Sequence, residues 1–207
     1  MKQTWRPGNM LYPVPAVMVS CQRKGEKPNI ITVAWAGTIC SDPVMVSISV
    51  RKERYSYDII KETGEFVINL TTKQLVRATD YCGVRSGRNV DKFKDMNLTP
   101  ETSEKINAPG IAESPVCIEC KVVQVLELGS HDMFIAKVEA VRVWESLLDS
   151  RGTLKLYKAD LMAYSHGSYY ELGKTLGKFG FSVQKKASQN NAVKKKTKKR
   201  KNSGSIK

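Results

Sequence analysis

Apolar side chains take every second position of PVMVSISVR, residues 43–51. Val44, Val46, Ile48 and Val50 fall on one face, and Met45, Ser47, Ser49 and Arg51 on the other. A period of two marks a half-buried strand. Further strands are predicted for 13–22 (PVPAVMVSCQ), 29–36 (NIITVAWA), 65–70 (EFVINL) and 161–164 (LMAY). CIECKVVQVLEL (117–128) and HDMFIAKVEAVRVWE (131–145) flank Gly129-Ser130, a two-residue hairpin signal. In RYSYDIIKETG (54–64) the period lengthens. Tyr55 and Ile59 are four apart, and Gly64 stands where a helix C′ glycine belongs. The polar stretch 73–105 is expected to carry short helices and loops. Hairpin-linked strands with occasional helices predict a mainly β protein, a small antiparallel β-barrel with interspersed helices. There is no internal repeat, and the regular strand–helix alternation of a Rossmann sheet is missing.

Charge changes this picture at one end only. The 207 residues carry 34 Lys or Arg against 20 Asp or Glu, but ten of the basic residues fall in 184–207, which contains no acid. The body, 1–183, is close to balanced. The segment QKKASQNNAVKKKTKKRKNSGSIK is polar and low in complexity, so it is expected to be disordered. Its lysines would attract nucleic acid or anionic surfaces by charge alone. It offers no aromatic platform for bases. With 41% hydrophobic residues the chain can bury a core. No apolar run is long enough for a membrane span, and the first residues lack a signal-peptide core. A cytoplasmic location is the expectation. The five scattered cysteines do not form a disulfide framework, which suits a reducing compartment.

Several motifs fail on spacing. Gly173-Lys174-Thr175 resembles the end of a phosphate-binding P-loop, but five residues separate Gly167 from Gly173 where that loop has four. Cys117 and Cys120 are three apart on a predicted strand, hence on opposite faces, and cannot clasp one metal. His131 and His166 have no Gly-x-Ser-x-Gly elbow to serve. No GxGxxG follows a strand, so a dedicated dinucleotide fold is not expected. No metal site and no catalytic acid or base are predicted.

Two basic junctions survive. RKERYS gathers Arg51, Lys52, Arg54 and the Ser56 hydroxyl at a predicted helix N-terminus, where free amides and the helix dipole favour phosphate. Ser47 and Ser49 extend that polar lane along the strand face of Arg51. CGVRSGRNVDKF (82–93) is a second basic loop, whose glycines can present amides to an anion and whose Lys92 adjoins Phe93.

Taken in order, NIITVAWAGTICSDP, VSISVRKERYSYDIIKETGEFVINL, CGVRSGRNVDKF, ESPVCIEC and GSHDMFIAKV resemble the flavin reductase-like family, specifically its flavoredoxin-type members, over Tyr12 to Tyr164. The resemblance implies an FMN-binding split β-barrel that forms a homodimer, with flavin bound close to the subunit interface. It carries FMN contacts onto Asn29, Trp35, Ser56, Lys92, His131 and Tyr164. Small side chains at Thr32, Ala34 and Ala36 would let a flat ring approach backbone amides. Lys92 and His131 would set donors or positive charge near the flavin. Ser47, Ser49, Ser56 and Arg51 would hold ribityl hydroxyls and phosphate. The expected activity is an oxidoreductase passing reducing equivalents from NAD(P)H through FMN. One rival is a flavoredoxin-like carrier with tightly held FMN and a protein electron donor. Others are a nucleic-acid-binding module acting through the basic tail, and a barrel that has lost its ligand.

Overall fold

The structure, a computed structural model, describes residues 1–184; all but the first residue of the predicted basic tail lies outside the described residues. The chain divides into two units, Met1–Leu172 and the segment from Gly173 onward. The first holds every strand and α-helix named below; the described part of the second contains one 3₁₀ turn, Phe181–Val183.

In chain order the strands of the first unit begin with β1 (Val14–Pro15), β2 (Val17–Cys21), β3 (Asn29–Val33), β4 (Ala36–Ser41) and β5 (Val44–Val50). After helix α1 (Tyr55–Thr63) comes β6 (Glu65–Asn69), then helices α2 (Val76–Val84) and α3 (Lys92–Asp95). The remaining strands are β7 (Pro100–Glu101), β8 (Gly110–Ile111), β9 (Val116–Glu127), β10 (Asp132–Val143), β11 (Met162–Ser165) and β12 (Ser168–Glu171).

Seven strands form one antiparallel sheet in the order β3-β2-β6-β9-β10-β5-β4. Its two edge strands, β3 and β4, are neighbours in sequence, joined only by Ala34 and Trp35. Three Cα steps span at most about 11 Å, so the two edges must come together and the sheet must curl. The Ser49 amide donates to the Trp35 carbonyl at 2.8 Å and fixes this corner. The result is a barrel whose seam is bridged at one point, a split barrel. The predicted strand 29–36 is therefore two strands broken at the corner. Alternation could not reveal the second, because Gly37, Thr38 and Ile39 of edge strand β4 are all exposed.

Elsewhere the patterns carry through. Val46, Ile48 and Val50 of β5 are buried in the main core with Val17, Val19, Ile31, Ile59, Ile60, Phe66 and Phe134. Helix α1 buries Ser56, Tyr57, Ile59 and Ile60 and ends at Gly64, whose φ of 67° suits a residue without Cβ. The long β9–β10 hairpin closes with the Leu128 amide on the His131 carbonyl, around Gly129 at φ 85°. Cys117 and Cys120 lie in two different apolar clusters. Strand β12, unpredicted, pairs with β11, and β11 with β1, in a small three-stranded sheet.

Candidate functional site

The two basic junctions singled out in the sequence meet in space. Asn29 starts β3, Ser56 lies in the first turn of α1, and Lys92 starts α3. All three line one cleft of about 160 Å³, with Ile31, Arg54, Tyr55, Arg85, Ser86, Gly87 and a single carboxylate, Glu53. Asn29 Nδ2 donates to Ser56 Oγ at 2.8 Å, tying strand to helix. No side chain caps the N-terminus of α1, so its dipole is directed at the cleft. The loop between α2 and α3 closes over this corner. Arg88 Nη1 donates to the Glu53 carbonyl at 2.9 Å, and its guanidinium stands 5.4 Å from the Tyr55 ring centre.

Lys92 is the least ordinary group here. Only 4% of it is exposed, and its Nζ donates to the carbonyls of Ile30 (2.6 Å) and Cys82 (2.8 Å). Burial, joined by the nearby Arg54 charge, lowers its pKa from 10.5 to about 8. The neighbouring thiols offer no countercharge, since desolvation pushes Cys21 up to about 12 and Cys82 to about 11. A buried cation held by neutral carbonyls, at the wall of a cleft with two arginines beside it, is suited to an anion.

Gly87 is required by packing. A methyl group there would lie 2.1 Å from Asn29 Oδ1 and 2.8 Å from Tyr55 Cδ1. We expect Gly87→Ala to displace Asn29 from Ser56 and to cost about 1–2 kcal/mol of stability. Urea denaturation checks the loss; an unchanged midpoint would mean that the loop simply moves aside.

The other sequence-predicted residues fall elsewhere. Trp35, at the barrel corner, and Tyr164, on β11, both pack on Tyr12, with ring centres 6.2 and 6.0 Å away. His131 and Arg51 sit where β10 and β5 begin and end. There burial and the Arg51 charge push the His131 pKa below its usual 6.5, so at neutral pH it contributes a neutral ring rather than positive charge. Its Nδ1 is 2.8 Å from Ser130 Oγ. Arg51 pairs with Glu53 at 3.5 Å and does not line the cleft. Lys52 turns to Asp132 (3.3 Å) and Glu127 (3.5 Å). Ser47 and Ser49 lie mid-sheet on β5, opposite Ile135 and Met133 of β10. Thr32 donates its hydroxyl to the Thr79 carbonyl beneath α2. Ala34 lies at the corner. Arg54 and Arg85, rather than Arg51, supply the guanidinium groups of the cleft; both stood in the two quoted junctions. Tyr12 carried no sequence signal of its own.

Comparison with known proteins fixes the lineage. The profile of the flavin reductase like domain matches residues 9–173. The chain belongs to the flavin reductase-like family. Flavoredoxin of Desulfovibrio vulgaris (Miyazaki F) superposes with a TM-score of 0.83 at 35% identity, over 89% of this chain and all of that one. Flavoredoxin from Methanosarcina acetivorans gives 0.78 at 28% identity, again over 89% of this chain and all of the other. In sequence, an uncharacterized protein of Archaeoglobus fulgidus is 31% identical over 126 residues, 61% of this chain and 71% of that protein. Membership of this flavin-binding family places the split barrel among flavin-related oxidoreductases. Among the described residues, no helix is long and apolar enough to cross a membrane.

Proposed function

We propose that this protein binds FMN and passes reducing equivalents from NAD(P)H through it. The observation that carries the reading is the Asn29–Ser56–Lys92 cleft. Its donors are two guanidinium groups, a buried ammonium, two hydroxyls and an open helix N-terminus, a set matched to a phosphate dianion. At about 160 Å³ the cleft is smaller than the roughly 300 Å³ at which small-molecule sites begin. It therefore fits the phosphate end of a flavin and leaves the rings outside. Planar partners for those rings stand at Trp35 and Tyr164, near the other end of the β3 segment. Exposed Ile39, Val44, Val123, Leu126 and Val141 on β4, β5, β9 and β10, with Leu128 in the β9–β10 turn, supply an apolar surface for a second copy, so a homodimer is part of the proposal.

Bound FMN would supply the hydride- and electron-accepting ring. The chain's own groups bind and orient. Arg54, Arg85 and Ser86 neutralise and grip the phosphate, while Lys92 adds a charge that stays put because two carbonyls hold it. Asn29 keeps Ser56 turned toward the cleft. Neutral His131 is a hydrogen-bond donor at the ring end, not a cation.

The 35% identity to a flavoredoxin across that protein's whole length favours a second reading, an electron carrier with tightly held FMN and a protein donor. One experiment separates them. FMN is added to the purified protein, the absorption spectrum is recorded after gel filtration, and NADH and NADPH oxidation is followed. Turnover of either nucleotide supports the reductase. A retained flavin band without turnover supports the carrier, and the absence of both band and turnover removes both.

A further inference from the structure

We infer that Tyr12 is a positioning residue for the flavin-facing pair Trp35 and Tyr164. This inference rests on the reading that a flavin ring lies against those two side chains. Every residue ahead of Tyr12 is exposed, and Tyr12 is the first to be partly buried. Its ring lies 6.2 Å from Trp35 at an interplanar angle of 41°, 6.0 Å from Tyr164 at 62°, and 6.0 Å from His166 at 90°. These are the offset and edge-on geometries that aromatic rings favour.

The register explains why Tyr12 arrives there. Strand β1 pairs with β11 as Val14↔Tyr164 and Pro15↔Ala163. Continued outward, that antiparallel count brings residue 12 opposite residue 166, in the turn that joins β11 to β12. The N-terminal segment is thus carried alongside β11 and sets one ring between two separate parts of the barrel. One is the corner between the sheet edges, where Trp35 sits; the other is the small sheet bearing Tyr164.

The two rings differ in how they are otherwise held. Tyr164 has a second aromatic neighbour, Tyr169 at 5.6 Å, whose hydroxyl donates to Asp80 of α2 at 3.2 Å. Trp35 sits at the corner with its backbone fixed through Ser49, but among the described aromatic pairs its indole meets Tyr12 alone. Removing the Tyr12 ring frees the Trp35 indole and leaves Tyr164 supported from one side. The inter-ring spacing that a flat ligand would meet then ceases to be fixed.

The test titrates FMN and riboflavin, which lacks the phosphate, into wild-type protein, Tyr12→Ala, Tyr12→Phe and Lys92→Met. Affinity is read from flavin fluorescence, ring environment from the shift of the visible absorption band, and folding from thermal melting. Tyr12→Ala is expected to weaken both flavins by one common factor, about tenfold, the worth of one or two aromatic contacts. It should also shrink the band shift, and Tyr12→Phe should restore both. Lys92→Met should weaken FMN and spare riboflavin. If Tyr12→Ala lowers the melting temperature but leaves both affinities and the band shift intact, Tyr12 is merely structural and the inference falls. If it weakens FMN and not riboflavin, Tyr12 acts on the phosphate end and the inference again falls. Wild-type protein that takes up neither flavin would remove the reading of the site itself, and this inference with it.

Discussion

Lys92→Met is expected to raise the FMN dissociation constant by about 10- to 100-fold, the worth of one charge-assisted hydrogen bond of roughly 1.5–3 kcal/mol. The fold should survive, because methionine fills a similar volume and adapts to irregular gaps. The argument is one of desolvation already accomplished. Lys92 is taken out of water by the fold and held by the Ile30 and Cys82 carbonyls. An anion arriving at the cleft therefore meets a cation that need not shed its own hydration or lose side-chain freedom. Isothermal titration with FMN measures the loss. An unaltered affinity would take Lys92 out of the site.

The same residue fixes a pH dependence whose two signs oppose each other. Its pKa in the empty protein is about 8, below the ordinary 10.5. A bound phosphate favours the protonated form, so FMN affinity should weaken as pH rises through about 8. Stability of the empty protein should move the other way. Between about 8 and 10.5 the unfolded chain still holds the proton that the folded chain has released, so this group's contribution to stability rises with pH. Both trends should be missing from the Lys92→Met variant, which isolates them from other titrating groups. Below about 8 the wild-type fold keeps an ammonium in a place that disfavours it, a cost consistent with a binding role rather than a structural one.

How much of this was legible beforehand follows from what each signal depends on. Strand β5 and helix α1 declare themselves because their periods survive any tertiary arrangement: alternate burial for Val46, Ile48 and Val50, and a left-handed glycine at residue 64. The corner at Ala34–Trp35 was invisible, because it exists only where the two sheet edges meet, and β4 is too exposed to alternate. The basic cleft was half legible. Basic residues and glycines marked both junctions, but which arginine faces the cleft depends on the entry of the chain into α1. Arg54, the residue immediately ahead of the helix, lines it, while Arg51 swings back to Glu53. Whether His131 brings a charge or only a donor stayed open in the sequence, which says nothing about burial or about Arg51 beside it. Tyr12 illustrates the limit most sharply, since three ring contacts gathered from residues 35, 164 and 166 leave no trace in the local sequence.

Glu119→Ala is expected to destabilise the protein by about 3–5 kcal/mol, enough to use up much of a typical domain's 5–15 kcal/mol. Glu119 lies within CIEC, where the cysteines drew attention and the acid between them did not. It is fully buried on β9. Its Oε1 accepts from the Glu104 amide at 2.9 Å and its Oε2 from the Lys105 amide at 2.8 Å. Arg142 Nε of β10 stands 3.1 Å from Oε1, and Arg142 also reaches Glu101 at 3.0 Å. One carboxylate thus pins the loop between β7 and β8 to the sheet and compensates a guanidinium packed so closely that a methyl on Gly110 would come within 2.7 Å of its Nη2. Truncation leaves two loop amides without their acceptor and strips Arg142 of its buried counter-charge, with only the more exposed Glu101 still paired to it, which is why the expected loss exceeds that of a surface ion pair. Glu119→Gln keeps the shape and one acceptor oxygen but turns an NH₂ toward groups that are themselves donors, so it should fall between wild type and alanine. Urea denaturation at pH 7 orders the three proteins. A glutamine variant as stable as wild type would show that the negative charge is dispensable, and an alanine variant within 1 kcal/mol of wild type would show that the loop finds water as readily as it found Glu119.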